Sequence, residues 1–140
     1  SLGHIGGEQA GSACINALES DRDEYVRRAA AESLGKIGGE QAISACIKAL
    51  ESDSGFYVRC AAIRSLGQIG GEQACSACVK ALKTDKDEDV RAAAATSLGQ
   101  IGGEQAKTAL QRAAVTLTVN TRKGENVHDA AIAALQRLGV

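Results

Sequence analysis

The chain contains no proline, no tryptophan and no methionine, and its aromatics are three: Tyr25, Phe56 and Tyr57. A packed domain this poor in rings has to build its core from Ala, Leu, Ile, Val and Cys. Charge of one sign is also missing. Sixteen Lys and Arg stand against 17 Asp and Glu, for a net charge of −1. That balance excludes a general polyanion binder, which needs a basic footprint. No apolar run approaches the roughly 18 residues of a membrane-crossing helix. No charged-then-apolar segment at the start reads as a signal peptide. We therefore expect no membrane or nucleic-acid partner.

What is abundant is glycine, with 16 in 140 residues. Twelve of them fall in four copies of one segment: LGHIGGEQA from Leu2, LGKIGGEQA from Leu34, and LGQIGGEQA from Leu66 and Leu98. The spacing is 32 residues each time. A second signal keeps the same period, as Asp21, Asp53 and Asp85 precede the pairs Val26-Arg27, Val58-Arg59 and Val90-Arg91. Repeats of this length point to a stacked array.

Each copy reads as two helices. Val26, Ala30, Leu34 and Ile37 form an apolar stripe at helical period. Gly38 follows, where a left-handed helix-ending residue is expected. Gly39 and Glu40 open the next helix, whose stripe is Ile43, Cys46, Ile47 and Leu50. Ser52 and Asp53 are expected to cap the helix that begins the following copy. Gly35 recurs as Gly3, Gly67 and Gly99 inside a helix, which predicts a close helix-to-helix contact. A helix pair this small cannot bury its apolar face alone, so neighbours must stack. The fold class is all-α, an α-solenoid of stacked antiparallel helix pairs with about four repeats.

The spacing from Asp to Arg, the V-R-x-A-A run, the L-G-x-I-G ending and the following A-x-x-A pattern resemble HEAT repeats, in their short bacterial, phycobilisome-lyase-type form. The resemblance covers nearly the whole chain. It implies a structural ladder between Asp21, Asp53, Asp85 and Arg27, Arg59, Arg91. It also implies that the second helices present a concave side. Members of the family serve as scaffolds, as subunits of bilin lyases and as sensor arms of signalling ATPases. Two departures stand out. Gln9, Gln41, Gln73 and Gln105 lie near the position where relatives place proline. In the last repeat Val127 follows Val90 by 37 residues, His128 replaces the arginine and Arg122 replaces the aspartate. The ladder is therefore expected to stop before the last layer. We read residues 1–140 as a single domain, irregular over 115–140 and part of a longer solenoid. Both ends look unpaired, which predicts end-to-end self-association. The stretch VTLTVNTRKGEN, residues 115–126, reads as a loop after a lengthened helix.

Candidate chemistry is sparse. Cys14, Cys46 and Cys78 share one apolar column and read as small core residues. Cys75 and Cys78 form a lone CxxC, too little for a zinc site. An odd number of cysteines without framework spacing suggests a reducing, cytoplasmic setting. Cys60 falls on the outer face of its helix and is expected to be exposed. Glu8, Glu40, Glu72 and Glu104 stack in a row but begin helices. No nucleophile-base or paired-carboxylate constellation is discernible. The expectation is a non-enzymatic protein-binding scaffold with no catalytic residue, metal or cofactor; the alternatives that the resemblance implies are a subunit of a phycobilin lyase-type modifying enzyme and the sensor arm of a larger signalling ATPase. The scaffold's binding surface is the second-helix side: Ser44, Ser76 and Thr108 beside Lys48, Lys80 and Arg112, a basic stripe for an acidic segment of a protein partner. Tyr25 and Tyr57, at the starts of adjacent first helices, are further candidate contacts.

Overall fold

The computed structural model of the chain describes the backbone of residues 2–117 and 125–139 and the side chains of residues 9–115 and 127–139. Among the described residues there are eight helices and no strand. They are α1 (Leu2–Ser20), α2 (Glu24–Ile37), α3 (Glu40–Ser52), α4 (Phe56–Ile69), α5 (Glu72–Thr84), α6 (Glu88–Ile101), α7 (Gly103–Leu117) and α8 (Glu125–Arg137). The even-numbered helices are the first of each pair and stack α2 on α4, α4 on α6 and α6 on α8. Each odd-numbered helix leans on the first helix of the next layer: α1 on α2, α3 on α4, α5 on α6 and α7 on α8. The result is an all-α solenoid.

The joint between the helices of a pair is built from two glycines. Gly38 has φ 74° and ψ −169°, and Gly39 has φ 91° and ψ 167°. The expected left-handed helical residue is thus absent. Both residues instead combine positive φ with extended ψ, a region essentially closed to any residue with a Cβ. Gly70-Gly71 repeats the geometry. The Gly38 amide still donates to the Leu34 carbonyl and closes the helix.

The first copy behaves differently. Residues 2–20 form one continuous helix that runs straight through the glycines of LGHIGGEQA. The sequence reading placed a break there. Glycine permits the bend but does not compel it. The remaining expectations for α7 and α8 concern the last layer. Helix α7 has 15 residues against 13 for α3 and α5. Of the loop expected over residues 115–126, positions 115–117 belong instead to α7 and 125–126 to α8, and 118–124 lie outside the described residues.

Capping also departs from expectation. Asp23 and Asp87, not Ser52 or Asp53, cap the first helices, accepting from the Tyr25 and Asp89 amides at 2.8 Å. Ser52 turns its hydroxyl back to the Lys48 carbonyl of its own helix. Asp53 ends α3 and accepts from the Gly55 amide at 2.9 Å.

The core is thin and dominated by alanine. Val58, Leu34, Ile63, Leu66, Val90 and Leu98 are fully buried among Ala31, Ala62, Ala94 and Ala95. Such small side chains allow the first helices to come close. A Cβ at Gly67 would lie 2.8 Å from the Ser97 Cβ, so only glycine fits. Gly35 meets Ser65, and Gly99 meets Ala134, in the same way. At the first two contacts a buried hydroxyl crosses the layers. Ser65 donates to the Ala31 carbonyl, and Ser97 donates to the Ile63 carbonyl at 3.0 Å. The cost of burying these hydroxyls is offset because each has its partner.

Candidate functional site

Three groups of sequence-predicted residues are placed by this architecture: the Asp–Arg columns and the second-helix residues line shared grooves, and the aromatic group lies apart from them. The Asp and Arg columns meet between layers. Arg27 reaches forward one repeat, donating from Nε to Asp53 Oδ2 at 2.9 Å and from Nη2 to Oδ1 at 3.2 Å. Its Nη1 donates to the Asp21 carbonyl at 3.0 Å. Arg59 repeats the arrangement with Asp85, at 3.1 and 3.3 Å, and with the Asp53 carbonyl at 2.9 Å. The bidentate fork matches the guanidinium to a carboxylate. Arg59 is only 4% exposed, so its charge is held by these partners rather than by water. The hydrogen bond to Asp53 holds the Arg27 guanidinium still further above its ordinary value. Arg91 donates from Nη1 to the Asp85 carbonyl at 2.6 Å. Its forward counterpart in the sequence, Arg122, lies outside the described side chains. His128 occupies the arginine column in α8, and its buried Nδ1 makes no hydrogen bond.

The second group lies on the second-helix side. Ser44, Ser76, Thr108, Lys48, Lys80 and Arg112 are all exposed. Here the helices stand apart, and grooves run between them. One of about 550 Å³ separates α1 from α3, lined by Asn16, Glu19, Ser44 and Lys48. Another of about 600 Å³ separates α3 from α5, lined by Ile47, Leu50, Glu51, Ala77 and Lys80. The expected basic stripe is modified at this point. The Lys48 ammonium lies 3.7 Å from a Glu19 carboxylate oxygen, and Lys80 lies 3.6 Å from Glu51. Each lysine reaches back across its groove to the previous layer. Both lysines of the stripe are thereby neutralised locally. Gln105 crosses the next interval, donating to the Ser76 hydroxyl at 3.4 Å.

The third group is aromatic. Tyr25 is 78% exposed and Tyr57 52%. Phe56 is half-buried against the core, with its ring centroid 4.0 Å from that of Tyr57. The Arg28 guanidinium sits over the Tyr57 ring, 5.5 Å from its centroid, and bonds Glu32. Tyr57, Arg64, Ala92 and Thr96 line a groove of about 440 Å³ between α4 and α6. This groove shares no residue with those of the second-helix side.

All five cysteines are free thiols. Cys60 is a correction, being 6% exposed rather than open to solvent. The outer flank of α4 is covered by α6, which stacks over it in the next layer. Burial pushes the Cys46 and Cys78 thiols up to about 12, that of Cys60 to about 11, and also raises that of Cys75. These groups stay protonated near neutrality, and a thiol is a poor nucleophile in that form. Among the described residues, no three or more His, Cys, Asp or Glu gather to hold a metal ion. No described helix is long and apolar enough to cross a membrane.

The family model described as HEAT repeats matches residues 1–59 and 43–136, and the chain belongs to that family. Similar solved structures include human deoxyhypusine hydroxylase in complex with glycerol, at 25% identity and a TM-score of 0.76, over 92% of this chain and 43% of that one. They also include the complex of CpcE and CpcF of phycocyanin lyase from Nostoc sp. PCC7120, at 30% identity and a TM-score of 0.74, over 92% of this chain and 53% of that one. The chain spans about half the length of each of these proteins. No curated protein sequence matches it. These neighbours overturn one expectation. The absence of a recognisable catalytic constellation pointed to a non-enzymatic protein, yet both neighbours are enzymes or parts of one. On this fold, a sequence without a familiar triad is no argument against participation in catalysis.

Proposed function

We propose that this chain supplies the docking surface of a protein-modifying enzyme of the lyase-subunit kind, holding a protein partner across the second-helix side. One observation carries the reading. The two sides of the array are built in opposite ways. On the first-helix side, glycine contacts bring α2, α4 and α6 close together. On the second-helix side, open grooves run between helices and are lined by exposed Ser44, Lys48, Ser76 and Lys80. Grooves of this kind accept side chains of a partner segment. The likeness to the phycocyanin lyase complex, itself an assembly of CpcE with CpcF, supports a role exercised together with another chain. Tyr25 and Tyr57 form a second contact in this proposal, since exposed rings in an aromatic-poor surface are candidate anchors.

Site-specific photo-crosslinking in the native host tests the reading. A crosslinker at Ser44, Ser76 or Thr108 is expected to capture one discrete protein. The same group at Lys36 or Gln100, exposed on the first helices, is expected to capture nothing discrete. Deleting the gene is expected to remove a covalent modification from the captured protein or from one bound to it. Capture from Lys36 and Gln100 alone, or a captured protein whose modification state never depends on this chain, overturns the proposal.

A further inference from the structure

We propose that the groove between α4 and α6 binds a short free peptide, whose terminal ammonium meets Asp89 and whose terminal carboxylate meets Arg64. The site shares no residue with the second-helix grooves and does not depend on the reading given for them. It arises from a change of side chains between successive intervals of the first-helix side. Between α2 and α4 the chain fills the outer space itself. The Arg28 guanidinium lies over the Tyr57 ring, 5.5 Å from its centroid, and donates to Glu32 at 3.2 Å. One step of 32 residues turns Arg28 into Cys60, Glu32 into Arg64 and Tyr57 into Asp89. The long side chain of the first interval is thus a thiol in the second, and a groove of about 440 Å³ opens there. That volume falls in the range of small-ligand sites.

The lining sets the chemistry of the occupant. Cys60 and Ala93 are buried, Ala92 is half-buried, and the Phe56 and Tyr57 rings lie beside them, so the middle of the groove is apolar. Arg64 and Asp89 also line it. Both are exposed, and neither belongs to an ion pair among the described residues. Burial raises the Cys60 thiol, Arg64 lowers it, and Asp87 and Asp89 raise it further, so charges of both signs act on this groove. Asp89 stands in α6 where Tyr57 stands in α4, and Arg64 follows Tyr57 by seven residues. Seven residues span about 10 Å along a helix. The occupant therefore needs a cation and an anion about 10 Å apart, joined by an apolar body. Three residues of extended peptide cover that length, at roughly 3.3–3.6 Å each. A single amino acid is too short to reach both charges. A nucleic-acid backbone fits poorly, because Asp89 repels a phosphate at one end.

The probe is the tripeptide Ala-Leu-Ala with free termini, titrated into the isotope-labelled chain and followed by amide NMR shifts. Saturable shifts are expected in α4 and α6, around Cys60 and Ala92. Blocking either terminus, by acetylation or by amidation, is expected to weaken binding about fivefold. Arg64→Gln is expected to cost the same against the free peptide and nothing further against the amidated one. Asp89→Asn is expected to behave in the same way toward the acetylated peptide. Leucine alone is expected to bind more weakly than the tripeptide. Lys36→Gln, an exposed change on α2, is expected to leave the affinity unchanged. Arg64 and Asp89 are exposed, so the helical circular dichroism of their variants is expected to match wild type. The blocked peptides test the same charges on the unaltered chain. No saturable shift with wild type, shifts confined to α3, α5 and α7, or equal affinity for free and blocked peptides overturns the proposal. So does an equal loss in Arg64→Gln and Lys36→Gln.

Discussion

The first-helix side and the second-helix side are made from the same 32-residue repeat, yet they obey different rules. On the first-helix side, contact is so close that a methyl group is too much at Gly67. Hydroxyl and guanidinium groups there have fixed partners inside the array. On the second-helix side the polar groups that cross between layers are exposed ion pairs over open grooves. The difference shows how an array divides its work. One side sets the stacking, and the other is free to vary in charge without disturbing it.

That contrast is sharpened by a graded set of substitutions. The largest effect is expected for Arg59→Ala. It leaves Asp85 Oδ2 and the Asp53 carbonyl without the Arg59 donor, with only the Asp87 amide still bonding the Asp85 carboxylate, and removing one member of a buried pair costs about 3–5 kcal/mol. A denaturant titration showing a loss below about 1 kcal/mol contradicts the buried-ladder account. Next comes Gly67→Ala. Its Cβ meets Ser97 and forces α4 and α6 apart, which overpacking places at about 1–3 kcal/mol. A neutral result means that the layers separate freely.

Alkaline pH gives a smaller effect. The Cys46 and Cys78 thiols are raised from 9.0 to about 12 by burial, so the unfolded chain ionises first. Stability is full below about pH 9 and falls as pH rises from there toward 12. At pH 10 each thiol contributes roughly 1 kcal/mol of loss. Melting curves of Cys46→Ala and Cys78→Ala are expected to be flatter between pH 8 and pH 10, values chosen to bracket the ordinary thiol range. Lys80→Ala stands at the other end. Its pair with Glu51 is exposed, and it is expected to change stability by less than about 0.5 kcal/mol. A large destabilisation by Lys80→Ala erases the distinction between the two sides.

Much of the fold was legible because the period of 32 is written in glycine. The L-G-x-I-G-G segment placed three of the four joints and marked Gly35, Gly67 and Gly99 as points of close approach. The failures share a cause. Straight helix α1 was missed because glycine marks only where a bend is allowed. Cys60 was misplaced because one helix was considered without the layer that covers it. Lys48 and Lys80 looked like a basic stripe because columns compare equivalent residues. The neutralising Glu19 and Glu51 lie one groove back, at a diagonal offset of 29 residues. The expectation of a non-enzymatic chain failed for another reason: both similar structures are enzymes or parts of one, and that likeness lies in the fold rather than in a catalytic constellation.

The most direct test of the docking side is amide hydrogen exchange on the chain alone and with its captured partner. The account predicts new protection in α3, α5 and α7, with little change in α4 and α6. New protection confined to α4 and α6, with α3, α5 and α7 unchanged, would contradict it.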